Sequence, residues 1–212
     1  MAVRPAGPPS VRVPPATGRA LGLRARVAAA VAAAATGGER PRLLTTLARN
    51  PRLFRRWLPL GATLLLRGDL ARADRELVIL RTAWRCGSWY EWVQHVHLAG
   101  KAGLPSADVE RVAAGPEATG WSPTRRLLVR AADELHDRQV ITDPTWEELA
   151  AVLTERQLIE LCLLVGHYEM LALTLNSLGV EPEPTALARL GEAGGTADRL
   201  RDRLVAERHR PH

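Results

Sequence analysis

The chain has 212 residues, 46% of them apolar, a length that buries a substantial core and makes one domain or two small related halves. Its net charge of +6 and pI near 10.5 suggest a polyanion binder, but residues 1–42 hold seven arginines against one acid, and from Leu43 onward 22 basic residues meet 22 acidic ones, so the folded part excludes an electrostatic nucleic-acid footprint. Cys86 and Cys162 form no CxxC and no Cys/His ligand spacing, which argues against a structural zinc site, and no apolar run reaches the roughly 18 residues that a bilayer span needs.

Residues 1–40 read as a basic Pro/Ala/Arg leader of low order, in which Val27 to Ala35 is helix or tail rather than a signal segment. From there the periodicity is helical. Leu43 to Ala48 is short and closes at Asn50-Pro51, because the residue before a proline is pushed out of the helical region. Arg52 to Leu66 follows and ends at Gly68. Asp74 to Trp84 sets Leu77, Leu80 and Trp84 on one face, and Ser88 to Ala102 is stopped by Gly103 with Pro105 beyond. Ser122-Pro123 opens a helix to Arg138, and Asp143-Pro144 opens one to about Val152. Thr154 and Gln157 have capping-box spacing ahead of a long apolar stretch that ends at Leu178-Gly179. No strand-like alternation is present. The expectation is an all-α fold of seven or eight helices, with a domain over 41–184 and a charged tail over 185–212.

The two halves share a frame. Arg75 to Leu80 laid over Arg156 to Leu161 matches Arg75 with Arg156, Leu77 with Leu158, Val78 with Ile159 and Leu80 with Leu161, giving pseudo-repeats at about 70–103 and 151–179. The reactive residues do not recur: Glu76 meets Gln157, Ser88 meets Glu169, Glu91 meets Ala172 and His95 meets Asn176. One site per chain follows.

On the helix after Ser88, positions 88, 91, 92 and 95 share a face. They set the Ser88 hydroxyl, the Glu91 carboxylate and the His95 imidazole in a row beside Trp92. Glu91 can reach His95 one turn on, and a carboxylate with a histidine can shuttle protons near neutral pH. An exposed pair would be worth only a few tenths of a kcal/mol. Trp89, Tyr90 and Trp92 argue instead for residues that pack or line a pocket, since aromatic residues make up only 4% of the chain. His97 points away from His95, and Glu91 with His95 lacks a third metal ligand in evident reach. His136 and His167 read as core-edge or surface residues, His209 and His212 as part of the tail, and Cys162 as a core hydrophobe. Cys86, just ahead of a helix start, is a candidate reactive thiol whose pKa a helix dipole would lower.

The stretch RELVILRTAWRCGSWYEWVQHVHLAGKAGL, followed by ERQLIELCLLVGHYEMLALTLNSLG, resembles the carboxymuconolactone decarboxylase and alkylhydroperoxidase D-like (AhpD-like) superfamily. The resemblance runs from about Val11 to Pro184. It implies an all-α helical bundle that assembles as a homotrimer or homohexamer. The peroxidase branch of that family carries E-x(11)-C-x(2)-C-x(3)-H. Here Glu76 falls on the glutamate and His95 on the histidine, while Ser88 and Glu91 occupy the two cysteine positions. Dithiol peroxide reduction needs both thiols, so the resemblance implies the non-redox, decarboxylase side.

The sequence thus predicts a cofactor-free acid/base enzyme, binding no metal, that acts on a small carboxylated or carbonyl-bearing compound by decarboxylation, isomerisation, dehydration or ring opening. His95, Glu76, Glu91 and Tyr90 would be catalytic, with Tyr90 donating to an oxyanion. Trp89, Trp92, Ser88 and Cys86 would line the substrate site. A cytoplasmic homo-oligomer with no nucleic-acid or membrane partner is expected. The alternatives are a thiol peroxidase using Cys86 and a non-catalytic oligomer that binds a small molecule.

Overall fold

Every position from Arg75 to Trp84 is buried, charged residues included, which a helix achieves only when other helices cover it all round. That helix is the axis of the fold. The computed structural model describes residues 11–18, 21–36, 38–192 and 202, and among them it contains ten helices and no strand. In chain order these are α1 Leu23–Thr36, α2 Arg42–Leu47, α3 Pro51–Leu66, α4 Arg72–Arg85, α5 Trp89–Lys101, α6 Ser106–Ala114, α7 Pro123–Arg138, α8 Asp143–Ala150, α9 Glu155–Leu178 and α10 Pro184–Glu192.

Helix α4 packs against α5, α6, α7 and α9. Its Val78 and Ile79 join Leu128 of α7 and Leu161, Leu164 and Leu175 of α9 in the main core. Its Leu77, Leu80 and Trp84 join Trp92, Val112 and Trp121 in a second cluster with α5 and α6. Truncating one of these fully buried leucines to alanine costs about 2–5 kcal/mol, transfer and cavity together. The buried charged residues of α4 are each paired. Arg81 grips Asp133 through Nε at 2.6 Å and Nη2 at 2.7 Å and donates to the Val112 carbonyl. Arg75 donates to the carbonyls of Leu65 and Leu70 and lies 3.4 Å from Glu160. Glu160 in turn accepts from the backbone of Asp69 and Leu70. A Cβ on Gly68 would sit 1.8 Å from the Glu160 carboxylate, so a side chain there would displace that carboxylate from the Asp69 and Leu70 N–H groups.

The caps follow the sequence. Asn50 accepts from Leu53 N–H with Pro51 at the first helical position, Ser122 accepts from Arg125 N–H, and the Thr154/Gln157 capping box is formed. For α8 the N-cap is Thr142 rather than Asp143. Three helices extend the expected set. Helix α6 follows Pro105, α10 begins at Pro184, the last residue of the expected domain, and runs into the expected tail, and α1 lies inside the expected leader, where Ala25 and Ala29 pack against Leu44, Ala48 and Phe54. Small alanines allow that close approach. Of the leader and tail, residues 1–10, 19–20, 37, 193–201 and 203–212 lie outside the described residues.

Helix α9 is long and apolar enough to cross a membrane by length and composition, with 56% of its apolar window buried inside the protein. The expectation of no such run missed it because Glu160, His167 and Glu169 interrupt the apolar letters. Much of its apolarity goes into the core against α4, α7 and α8.

Candidate functional site

The turn Cys86-Gly87-Ser88 separates α4 from α5, and Gly87 takes φ 58°, which only glycine adopts without strain. The chain reverses there, so α5 lies along α4. This brings Glu76 and His95 together: His95 Nδ1 lies 2.7 Å from Glu76 Oε2, and both side chains are buried. The hydrogen bond leaves Nε2 as the ring atom available to anything else.

Glu91 lies in the same buried layer, at 2% exposure. Its carboxyl pKa is pushed from 4.5 up to about 8 by burial, with the nearby Ser88 hydroxyl offsetting part of the rise. Neither Glu91 oxygen makes a well-formed hydrogen bond, and neither does Ser88 Oγ. Ser88 occupies the N-cap position of α5 but bonds no helix N–H. The partner of His95 is Glu76, then, and not Glu91.

Tyr168 of α9 closes the site. Its ring meets His95 edge-on at 5.1 Å between centroids. Burial, then the charges of Glu76 and Glu91, raise its phenol well above the ordinary range. On its far side His167 stands edge-on at 5.4 Å and stacks on Trp57 at 5.9 Å. No sequence signal singled out Tyr168, because it lies in an apolar helix ninety-two residues from Glu76. Only the expectation that the second repeat packs against the first could have found it.

The remaining expected residues are dispersed. Tyr90 turns to the opposite side of α5, where its hydroxyl accepts from Leu43 N–H at 3.1 Å and donates to Glu183 at 3.0 Å. Glu183 also accepts from Gln94 and from Arg42 N–H, so Tyr90 ties α2 and α10 to α5 and has no free hydroxyl to offer an oxyanion. Trp92 is fully buried against Trp84 at 5.5 Å, and the half-buried Trp89 packs on the same cluster. The two tryptophans fill core rather than line an open cleft. The cleft beside α10 is lined by Gln94, His97, Glu183 and Arg189, and not by Glu76, Glu91 or His95.

Cys86 runs against expectation. It caps the C-terminal end of α4, where the dipole disfavours an anion. Burial, then the charges of Glu169 and Glu91, push its thiol from 9.0 up to about 12. Its sulfur lies 3.8 Å from His136 Nδ1, and that same nitrogen lies 2.7 Å from Glu169 Oε1.

With this geometry in view, the comparisons are consistent. Residues 51–134 match the model of the carboxymuconolactone decarboxylase family. No curated protein matches the sequence. Among solved structures, an uncharacterized peroxidase-related protein with an alkylhydroperoxidase AhpD core from Ralstonia eutropha JMP134 superposes with TM-score 0.76 at 19% identity, over 84% of this chain and 95% of that one. An uncharacterized peroxidase-related protein from Silicibacter sp. TM1040 gives 0.73 at 15% identity, over 88% and 97%. The debrominase Bmp8, solved with 2,3,4-tribromopyrrole, gives 0.72 at 15% identity, over 86% and 97%. The chain has the AhpD-core helical fold, and its residues 51–134 are similar to the carboxymuconolactone decarboxylase family.

Proposed function

We propose that this AhpD-like protein is an acid/base enzyme that acts on a small carboxylated or carbonyl-bearing compound without an organic cofactor. The observation that carries the reading is the buried 2.7 Å contact between Glu76 and His95, set beside a Glu91 carboxyl held protonated to about pH 8. Two groups of opposite readiness share one site, the arrangement from which acid and base roles are assigned. Glu76 accepts from Nδ1–H and fixes the tautomer, which makes Nε2 of His95 the base. Glu91 is the acid. The Glu91 oxygens and Ser88 Oγ make no well-formed hydrogen bond to other protein groups, so they retain capacity to bond a polar ligand.

In decarboxylation, the substrate's carbon–carboxylate bond breaks, CO2 leaves, and the electron pair left on carbon takes the Glu91 proton. In isomerisation, Nε2 removes a carbon-bound proton and Glu91 supplies one at a second position. The family match supports the first, and the geometry accommodates either. A thiol peroxidase using Cys86 is disfavoured, because a thiol raised to about 12 is almost wholly protonated at neutral pH. The burial of His95, away from the cleft beside α10, favours one rival, a protein without turnover that binds a small molecule elsewhere or uses His95 in a purely structural role.

Exposed Ile159, Leu163, Met170 and Leu173 form a stripe along α9, which supports self-association as a homotrimer or homohexamer. We read the protein as cytoplasmic, with no nucleic-acid or membrane partner. The test is a screen of wild-type protein against lactone acids and unsaturated acids, following CO2 release and ultraviolet absorbance. The active compound is then offered to Glu76→Gln, Glu91→Gln and His95→Gln. Full activity in all three variants contradicts the assignment.

A further inference from the structure

A second cluster of ligating side chains lies outside the Glu76–His95 site. Cys86 at the end of α4, His136 in the last turn of α7 and Glu169 in the middle of α9 each offer one donor atom, and the three atoms lie within 4.8 Å of one another. All three side chains are half-buried.

The arrangement is not that of a thiol nucleophile with its base and orienter. In such a relay the nucleophile and the carboxylate hold opposite nitrogens of the imidazole. Here both approach Nδ1, the sulfur at 3.8 Å and the carboxylate at 2.7 Å. Three donors facing one point suit a shared cation. A tetrahedral zinc with Zn–S of about 2.3 Å and Zn–N of about 2.05 Å separates sulfur from nitrogen by about 3.6 Å, and nitrogen from carboxylate oxygen by about 3.4 Å. The sulfur–nitrogen separation already lies within about 0.2 Å of that value. The glutamate must withdraw by about 0.7 Å, which its flexible side chain permits. Thiolate, imidazole and carboxylate together favour a borderline transition ion over calcium or magnesium.

We propose that Cys86, His136 and Glu169 form a binding site for a divalent transition ion of the zinc class, with a fourth position open to water or a small ligand. The ligands come from three helices and lie fifty and thirty-three residues apart, so no local spacing announces the site. The carbonyl of Cys86 is itself held by the Asn176 side chain at 3.0 Å, which fixes the α4 end of the site. Binding displaces the thiol proton, so affinity rises with pH. The site is independent of the acid/base reading, and its test does not use activity.

Untagged full-length protein is titrated with Co2+ and then Zn2+. One equivalent of Co2+ is expected to bind and to give a thiolate-to-cobalt charge-transfer band, which one equivalent of Zn2+ abolishes. Cys86→Ser removes the band, and Cys162→Ser leaves it unchanged. His136→Asn and Glu169→Gln replace half-buried residues, keep the helical circular dichroism and weaken binding at least about 100-fold, beyond the 10–100-fold typical of groups that only orient a ligand. The proposal is overturned if no charge-transfer band forms, if the band survives Cys86→Ser, or if the folded His136→Asn and Glu169→Gln proteins bind as tightly as wild type.

Discussion

The α4–α5 segment and α9 carry the same apolar frame and differ in one turn. In α9 the positions matching Cys86-Gly87-Ser88 are His167-Tyr168-Glu169, and the helix runs straight through them for 24 residues. Gln157 and Asn176, the counterparts of Glu76 and His95, therefore lie nineteen residues apart on one rod, about 28 Å at 1.5 Å per residue. In α4–α5 the left-handed Gly87 breaks the rod, and the same separation in sequence becomes a 2.7 Å hydrogen bond. The turn makes the site. The unbroken helix α9 supplies its wall, through Tyr168.

The comparison can be broken most severely at the residues that the turn brings together. His95→Gln is expected to lower kcat by about 10²–10⁴, the usual contribution of general acid–base catalysis, and Glu76→Gln to lower it by somewhat less. Asn176→Ala, at the matching position of α9, is expected to leave kcat within about threefold, because the hydrogen bond of about 1 kcal/mol that it removes goes to the Cys86 carbonyl and not to Glu76 or His95. Steady-state kinetics on the active compound separate the two.

Glu91 has Ala172 as its counterpart, and its burial carries a pH signature. An unfolded carboxyl loses its proton near 4.5, whereas Glu91 in the folded chain keeps it to about 8. Between those values the unfolded chain binds fewer protons, so this residue lowers stability as pH rises through the interval, with no penalty below it and the full penalty above. Glu91→Gln should flatten the pH dependence and stabilise the protein at pH 8 by a few kcal/mol, on the order of 4 at most. Urea unfolding at pH 5 and pH 8 measures it. An unchanged slope would place the Glu91 pKa in the ordinary range.

Smaller effects test the turn and the caps. Gly87→Ala forces a Cβ into the left-handed region and is expected to cost about 1–2 kcal/mol, read as a shift in the urea midpoint. At the caps the two segments should part again. Thr154→Ala removes a formed capping box and costs about 1 kcal/mol. Ser88→Ala removes a hydroxyl that bonds no helix N–H and is expected to change stability by less than about 0.5 kcal/mol. Equal losses at both sites would show that Ser88 caps α5 in solution.

Much of this was legible in the sequence. Helical periodicity, prolines and caps marked seven helices, and the spacing of Glu76 and His95 within the family pattern marked the residues that meet. A shared helix face also offered Glu91 to His95, whereas of the two carboxylates the α4–α5 reversal delivers Glu76. Tyr90 carried no sign of its direction: one residue before Glu91 on the helix, it faces Glu183 instead. Helix α1 was obscured because an alanine run has little amphipathic pattern, and its face shows only where Ala25 and Ala29 meet α2 and α3. The Cys86, His136 and Glu169 cluster depends wholly on packing between three helices.

The central claim, that Glu76 and His95 move protons on a bound small molecule, is tested most directly in D2O. A lactone or unsaturated acid that binds is incubated with the protein, and deuterium entering its carbon-bound positions is followed by NMR. Exchange by wild type that His95→Gln abolishes, with binding retained, is the result predicted here. No exchange by wild type on any ligand it binds, or equal exchange by His95→Gln, would contradict it and leave a binding protein.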